Sequence, residues 1–512
     1  MAVARSRREL LGCPLEQLPV TDTTLPASTP SVQGVEAEGV QALLDALEGT
    51  PGIEPHGLMI LRHGFVVVAG WWSPYSPGRP HLLYSASKSF TSTAAGLAVA
   101  EGLLDLDHPV ISYFPELDAD VTDPRSRSML VRHIASMASG HVEETWDRVM
   151  AARPAEPVLA FLRIPPDRDP GTVFAYNQSC TYTLGAIVQR LTGQTLASYL
   201  KRRLPGPLGA GELCWAKDHL GRDLGYSGLH ATTETLARLG LLYLRNGEWG
   251  GEQVLSPGWV AEATREHVST ASATTGTGLD WRQGYGYQFW QSRHGYRGDG
   301  AYGQFSLVLP EYDAVVAITS QSTDMQAVLD AVWDNLLPAL LDGPVTDTGA
   351  DARLRDRLGQ LALAVPTAEA LPPAGGQQVW VDTTFAPESG VCASQPSLNG
   401  VTVSTDLGGW RVALHEAGSS LSMKLGIGAW AQSDGPQPDS AAPGGDAVAA
   451  SPVLVACAGG WVGPAALRFD VIFLETPHRL VVTCKIPDKT FEAHWVAAPL
   501  GTPPLSGLRA PS

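Results

Sequence analysis

Ser85 and Lys88 stand three residues apart in Tyr84-Ser85-Ala86-Ser87-Lys88-Ser89-Phe90. At that spacing they share a face if the segment opens a helix. A hydroxyl beside an amine is the minimum set for a nucleophile and its base. The amine must be neutral to serve. A helix start favours that state, because its positive end opposes an ammonium and burial opposes any charge. A neutral Lys88 takes the Ser85 proton and leaves an alkoxide-like nucleophile. The helix end and the Ser85 backbone N–H then favour negative charge developing on the attacked group. The chain has six lysines against 29 arginines, and Lys88 is the only lysine in the first 200 residues. Arginine cannot give up its proton, so a lysine kept in this background marks work that needs a neutral amine. Ser198-Tyr199-Leu200-Lys201 repeats the spacing but runs into Arg202-Arg203. It reads as a solvated basic cap at a helix C-terminus.

Other chemistries find little support. Gly298-x-Gly300-x-x-Gly303 spells a dinucleotide pattern, yet Gln304–Leu309 after it reads as a strand where that pattern requires a helix. There is no GxSxG elbow, no HExxH and no Walker A loop. The 13 histidines show no metal-ligand spacing. His133 and His141 read as structural, and Trp71, Trp72, Tyr75, Trp281, Tyr285 and Trp290 as packed aromatics. No metal or organic cofactor is expected.

The elements that must position Ser85 and Lys88 follow from periodicity. Gly39–Leu47 has helical spacing. Leu58–Arg62 and Phe65–Ala69 flank His63-Gly64 as a hairpin. Helices are expected at Phe90–Glu101, Val131–Met137, Thr181–Arg190 and Thr233–Arg245, the last ending at Asn246-Gly247. Strand character returns at Tyr285–Trp290, Gln304–Leu309 and Ala314–Thr319, with Pro310–Asp313 as a turn. Ala327–Leu341 reads as an amphipathic helix. A largely helical insert at 85–265 thus separates two groups of strands that pair into one antiparallel sheet, an α+β architecture. Residues 1–35 read as an irregular lead-in, 36–342 as the main domain and 343–375 as a linker with a short helix at Ala352–Leu363. The Pro-Pro-Ala-Gly-Gly stretch at 372–376 marks a break. A smaller all-β domain is expected over 376–500, from runs at Val379–Val381, Trp410–His415, Leu421–Leu425, Val453–Ala458, Leu467–Leu474 and Leu480–Ile486. Gln432–Asp446 reads as a mobile loop in it, and 501–512 as a tail.

The 512 residues are 44% hydrophobic, enough for sizeable cores, and carry a net charge of −17. That charge repels phosphates and opposes anionic membrane surfaces, so neither nucleic acid nor a membrane is an expected partner. The six cysteines are scattered without a CxxC pair, which fits a reducing compartment. The first residues, MAVARSRRELLGCPLEQLPV, carry no apolar run of a secretory signal, and Arg7 and Arg8 argue against a lipoprotein signal at Leu10–Cys13. A cytoplasmic location is expected.

Several dispersed segments agree in order and spacing: SASKSFTSTAAGLAVAEGLLDLDHPVISYFPEL from Ser85, RHIASMASG from Arg132, FAYNQSCTYTLGAIVQRLTG from Phe174, GLHAT from Gly228 and GAYGQFSLVLPE from Gly300. Over about residues 35–340 the chain resembles the serine β-lactamase/penicillin-binding protein superfamily, and within it the class C-like branch with the CubicO-type hydrolases and family VIII carboxylesterases. The resemblance implies a β-lactamase/transpeptidase-like fold, with Ser85 as acyl-accepting nucleophile. Tyr176, in Tyr176-Asn177-Gln178, would share base and acid duty with Lys88. Gln178 stands where the family has Asn or Ser and would contact substrate. A third motif, Lys-Thr-Gly or His-x-Gly in the family, corresponds to Gly298-Asp299-Gly300. This chain departs from it, having no lysine between 217 and 424. Asp299 and Gly300 would line the substrate, and the Ala301 N–H would complete the oxyanion hole with that of Ser85.

The expectation is a serine hydrolase acting through an acyl-enzyme on a small-molecule ester or amide, with the oligomeric state unspecified. The competing expectation is a catalytically silent binding or sensor module on the same fold, favoured by Gln178 and the absent third-motif lysine.

Overall fold

The computed structural model describes residues 24–511 apart from 152–153, 205–207, 210, 272–277, 347–348, 370–376 and 435–451. The first 23 residues of the expected lead-in, the break at 372–376 and most of the expected 432–446 loop lie outside the described residues.

The main sheet has six antiparallel strands: β1 (Ile53–Arg62), β2 (Phe65–Trp71), β3 (Trp290–Gln291), β4 (Tyr296–Gly300), β5 (Gln304–Leu309) and β6 (Ala314–Ser322), in the spatial order β2-β1-β6-β5-β4-β3. His63 and Gly64 join β1 to β2 with φ of 52° and 82°. Two successive positive φ values match the twist of a tight hairpin. Strands β5 and β6 are buried along their whole length, so layers cover both faces. Helix α1 (Ala37–Gly49) packs against β1, and the helical segment 325–339 packs on α1. The region between β2 and β3 supplies α2 (Ser87–Ala100), α3 (Gln178–Thr192) and α4 (Thr233–Leu244). Helix α4 lies on the face that carries Ser306, Val308 and Val315, so close that a Cβ on Gly240 would stand 2.6 Å from Val315.

The expected α+β, β-lactamase/transpeptidase-like fold is the observed one, with local differences. Tyr285–Trp290 forms no continuous strand. Gln288 takes φ 65°, and only Trp290–Gln291 joins the sheet as β3. The run is aromatic because its side chains pack, not because its backbone pairs. Ala327–Leu341 is broken into an α segment, Met325–Ala331, a π turn, Val332–Leu336, and a 3-10 turn, Leu337–Ala339, where Pro338 cannot continue an α-helix. The helix placed at Ala352–Leu363 lies at Ala350–Leu358 and buries Ala350 and Leu354 in the main core.

Nine further strands make a second sheet: β7 (Thr383–Pro387), β8 (Leu398–Asp406), β9 (Gly409–Glu416), β10 (Ser419–Lys424), β11 (Ala431–Asp434), β12 (Leu454–Trp461), β13 (Ala466–Phe473), β14 (His478–Lys485) and β15 (Thr490–Trp495). Their order is β10-β9-β8-β7-β15-β14-β13-β12-β11, antiparallel except for the β7–β15 pair. Gly426 N–H donates to Cys457 O (3.2 Å) and Gly459 N–H to Gly426 O (2.9 Å), drawing the ends together into a barrel-like form. Val379–Val381 is not a strand, since Gln377–Val379 forms a 3-10 turn, and Gln432 belongs to β11. Trp380, Phe385, Phe469 and Phe491 lie in this sheet's own core, while Ile472 and Leu474 face the core of the main sheet. Among the described residues no helix is long and apolar enough to cross a membrane.

Candidate active site

Tyr84–Ala86 makes one 3-10 turn that runs into α2. Tyr84 holds φ 47°, the left-handed region that a bulky side chain rarely adopts. Ser87 ties the turn: its Oγ donates to Tyr84 O (2.5 Å) and accepts the Leu229 N–H (3.1 Å). Helix α2 is buried along most of its length, which its small residues permit. A Cβ on Gly96 would stand 2.5 Å from the Trp259 ring. Three of its hydroxyls find acceptors inside: Ser89 donates to Gln288 O (3.0 Å), Thr91 to Gly225 O (2.8 Å) and Thr93 to Ser89 O (2.8 Å).

Lys88 is buried near the start of α2. Its Nζ lies 2.6 Å from Gln178 Oε1, 2.8 Å from Tyr226 O and 3.1 Å from Ser85 Oγ. Burial lowers its pKa to about 7, against the opposite pull of Glu144 and Asp299. Gln178 and Tyr226 present carbonyl oxygens, which only accept. A neutral amine has two N–H groups and one lone pair. With both N–H groups engaged by carbonyls, the lone pair is left for Ser85, whose O–H donates to it.

Asn177 caps α3 by accepting the Ser179 N–H (3.1 Å), and it also accepts the Thr145 hydroxyl (3.0 Å). This cap sets Gln178 toward Lys88 on one side and Tyr176 toward Ser85 on the other. The Tyr176 ring stacks on Trp290 at 5.5 Å and lies 4.8 Å from Lys88 Nζ. Burial first, then the Asp299 charge, pushes the Tyr176 pKa up, so the phenol keeps its proton at neutral pH.

The Glu144 carboxylate accepts the N–H groups of Trp146 (2.8 Å), Thr145 (2.9 Å) and Gln178 (3.0 Å). Burial raises its pKa while these bonds and the Lys88 charge oppose the rise. Neither Glu144 nor the Tyr226 carbonyl stands out in the sequence.

Strand β4 brings Asp299 and Gly300 to the same place. Arg297 Nε donates to Asp299 Oδ2 at 2.8 Å. Arg297 Nη1 donates to Asp280 O and Gln291 O, both at 3.0 Å, and to Ser292 Oγ at 2.6 Å. Its guanidinium lies 4.6 Å from the Trp281 ring centre. Arg297 Nε and Nη1 are thus engaged within the protein, while Nη2 is buried without a hydrogen-bond partner. His294 packs on Trp333 at 5.2 Å. A Cβ on Gly300 would stand 2.1 Å from Leu83 O and 3.1 Å from Ala86 N, so only glycine lets the end of β4 touch the Ser85 turn. Ala301 follows directly. Ser85, Lys88, Tyr176, Gln178, Asp299 and Gly300 therefore converge, with Gln178 turned to the lysine and Asp299 paired to Arg297. Among the described residues no group of three or more His, Cys, Asp or Glu could hold a metal ion.

A family model described as Beta-lactamase matches residues 40–340, which hold every residue of this constellation. The chain belongs to the β-lactamase family. The expected enzyme class, a β-lactamase-related serine hydrolase, agrees with that membership. The chain is 29% identical over 287 residues to the 6-aminohexanoate-dimer hydrolase of Paenarthrobacter ureafaciens, covering 52% of this chain and 72% of that one. It is 30% identical over 149 residues to the lovastatin esterase of Penicillium rubens, covering 25% of this chain and 37% of that one. Among solved structures a family VIII carboxylesterase is similar at a TM-score of 0.46 and 15% identity, over 61% of this chain and 99% of that one. Residues 341–512 lie outside the β-lactamase family match.

Proposed function

We propose that this chain hydrolyses an ester or amide of a small molecule through an acyl-enzyme, with Ser85 as nucleophile and Lys88 as its base. The observation that carries this reading is the set of three neighbours around Lys88 Nζ. Two obligate acceptors take the N–H groups, and the third neighbour is the hydroxyl to be deprotonated. A binding module has no need of a lysine held near neutrality at pH 7 with its lone pair aimed at a serine, so the silent alternative is the weaker reading.

Ser85 Oγ attacks the carbonyl carbon as its proton passes to Lys88 Nζ. The Ser85 and Ala301 N–H groups hold the resulting oxyanion, a role supported by the contact of Gly300 with the 83–86 turn. Tyr176, which keeps its proton at neutral pH and lies beside Lys88, passes that proton to the leaving oxygen or nitrogen and becomes a phenolate. The Lys88 ammonium returns a proton to the Tyr176 phenolate, which restores both groups; water then attacks the acyl carbon as Lys88 takes its proton, and that proton passes to Ser85 Oγ as the acyl–oxygen bond breaks and the acid departs. The relatives named as a dimer hydrolase and an esterase support ester or amide cleavage as the class. Intact mass after treatment with a fluorophosphonate tests it. One adduct that maps to Ser85 and vanishes in Ser85→Ala is expected, while an unmodified parent chain would overturn the reading.

A further inference from the structure

Tyr84 and Tyr302 flank the proposed machinery, one before Ser85 and the other after Ala301. Both hold left-handed backbone, with φ of 47° and 66°. Backbone of this kind persists beside a site only where surroundings over-determine it. Here the surroundings come from the second sheet. Tyr84 Oη lies 2.5 Å from His478 Nε2, at the start of β14. Tyr302 Oη donates to Ala498 O, just past β15. The His478 ring stands edge-on to both tyrosines, at 5.8 and 5.4 Å, and the tyrosines meet each other at 5.5 Å.

The hydrogens on His478 follow from its neighbours. Its Nδ1 lies 2.9 Å from Ala497 O, which only accepts, so Nδ1 carries a hydrogen. Burial lowers the His478 pKa to about 4, so the ring is neutral at pH 7 and Nε2 keeps its lone pair. Tyr84 Oη must then donate to Nε2, and in turn accepts the Leu500 N–H at 3.4 Å. Two more bonds dock the adjoining 475–476 turn beside the site: Leu82 N–H to Glu475 O at 2.8 Å and Tyr75 Oη to Thr476 O at 3.0 Å.

We infer that His478 is a positioning residue for Ser85: through its bond to Tyr84, the nine-stranded sheet fixes the turn that aims the nucleophile. The inference rests on the reading of Ser85 as nucleophile. His478 touches no reacting atom and acts only through Tyr84. Because Gly300 abuts Leu83 and Ala86, a shift of this turn also disturbs the end of β4.

The test uses the full chain and four variants: Tyr84→Phe, His478→Phe, their double, and His478→Gln, whose amide oxygen can still accept from Tyr84. The readouts are kcat and KM for p-nitrophenyl butyrate, the rate of fluorophosphonate labelling at Ser85, and thermal unfolding. Each single Phe variant is expected to lose about tenfold in kcat and in labelling rate, with KM within about twofold, because sub-ångström misplacement acts on the chemical step. The double variant should be no worse than the poorer single, and His478→Gln should recover most of the loss. Labelling of Tyr84→Phe within about twofold of the parent overturns the inference, as do losses that multiply in the double. Tyr84→Phe removes one oxygen and decides alone if His478→Phe does not fold. A parent chain that takes no label at Ser85 overturns the nucleophile reading itself, so the two failures are distinguishable.

Discussion

The tetrapeptides Ser85-Ala86-Ser87-Lys88 and Ser198-Tyr199-Leu200-Lys201 share their spacing and differ in everything around it. Lys88 starts a buried helix and has two carbonyls and a hydroxyl within 3.1 Å. Lys201 ends a six-residue helix with its side chain 71% exposed, and it pairs with Glu212 at 3.9 Å. Ser198 forms part of the Thr195 cap, its N–H donating to Thr195 Oγ1 at 3.3 Å. Lys201 stays in water, whereas the protein withdraws water from Lys88 and supplies carbonyl acceptors for only two hydrogens. Spacing makes the pair possible, and burial with two carbonyl acceptors fits Lys88 to the base role proposed for it.

The largest expected effect breaks one site and spares the other. Ser85→Ala and Lys88→Arg should each lower kcat/KM by about 10³-fold or more, since neither leaves a nucleophile with a deprotonatable partner. Ser198→Ala and Lys201→Arg should stay within about twofold. Steady-state kinetics on one ester decides it, and equal losses at both sites would erase the contrast.

Next comes substrate charge. Arg297 is buried and its charge is paired to Asp299, so β4 offers no exposed, unpaired cation for a substrate carboxylate. p-Nitrophenyl butyrate should exceed nitrocefin by about tenfold or more in kcat/KM, the price of one missing charge-assisted bond. Nitrocefin ahead by the same margin would refute this account.

Then the pH profile. With the Lys88 pKa lowered to about 7, kcat/KM should fall as pH drops below that value, because the ammonium cannot accept the Ser85 proton. Gln178→Glu adds a carboxylate against Nζ, favours the ammonium, and should move this limb upward by about one pH unit. Glu144→Gln removes a charge that favours the ammonium and should move it downward by roughly half a unit. Limbs that stay fixed would show that another group titrates.

The smallest effect carries the lesson from lysine to histidine. Burial lowers His230 and His478 to about 4 from an ordinary 6.5. The unfolded chain therefore binds more protons below pH 6.5, and stability present above that pH is lost as pH falls toward 4. Each group accounts for roughly 3 kcal/mol at the limit. Tm should decline over this window at constant ionic strength, and a flat Tm would contradict it.

Ser85 and Lys88 were legible in the sequence because their chemistry is carried by side chains at a short spacing, whereas Tyr176 came only from the resemblance of the Tyr176-Asn177-Gln178 segment. Gln178, read as a substrate contact, turns its oxygen to Lys88, because the cap at Asn177 fixes where α3 begins. The Tyr226 carbonyl leaves no trace in a sequence, since every residue has one. Glu144 acts through N–H groups brought together by folding, and His478 is one of 13 histidines. In the second sheet, β7, β8 and β15 went unread because their exposed faces alternate with polar residues that blur the apolar run. The β7–β15 pairing is parallel and non-local, so no hairpin signal announces it.

The bond between Tyr84 and His478 spans 394 positions of the chain. At ribosomal speeds of about 5–20 residues per second, the Ser85 turn emerges roughly 20–80 s before the strand that holds it. For that interval Tyr84 has no His478 to donate to, although the strands and helices of the β-lactamase match can already form. A closure over so long a loop also comes late in refolding. The geometry therefore ties competence of Ser85 to completion of synthesis: a chain cut short before residue 478 carries its serine, lysine and tyrosine but lacks the histidine that steadies them.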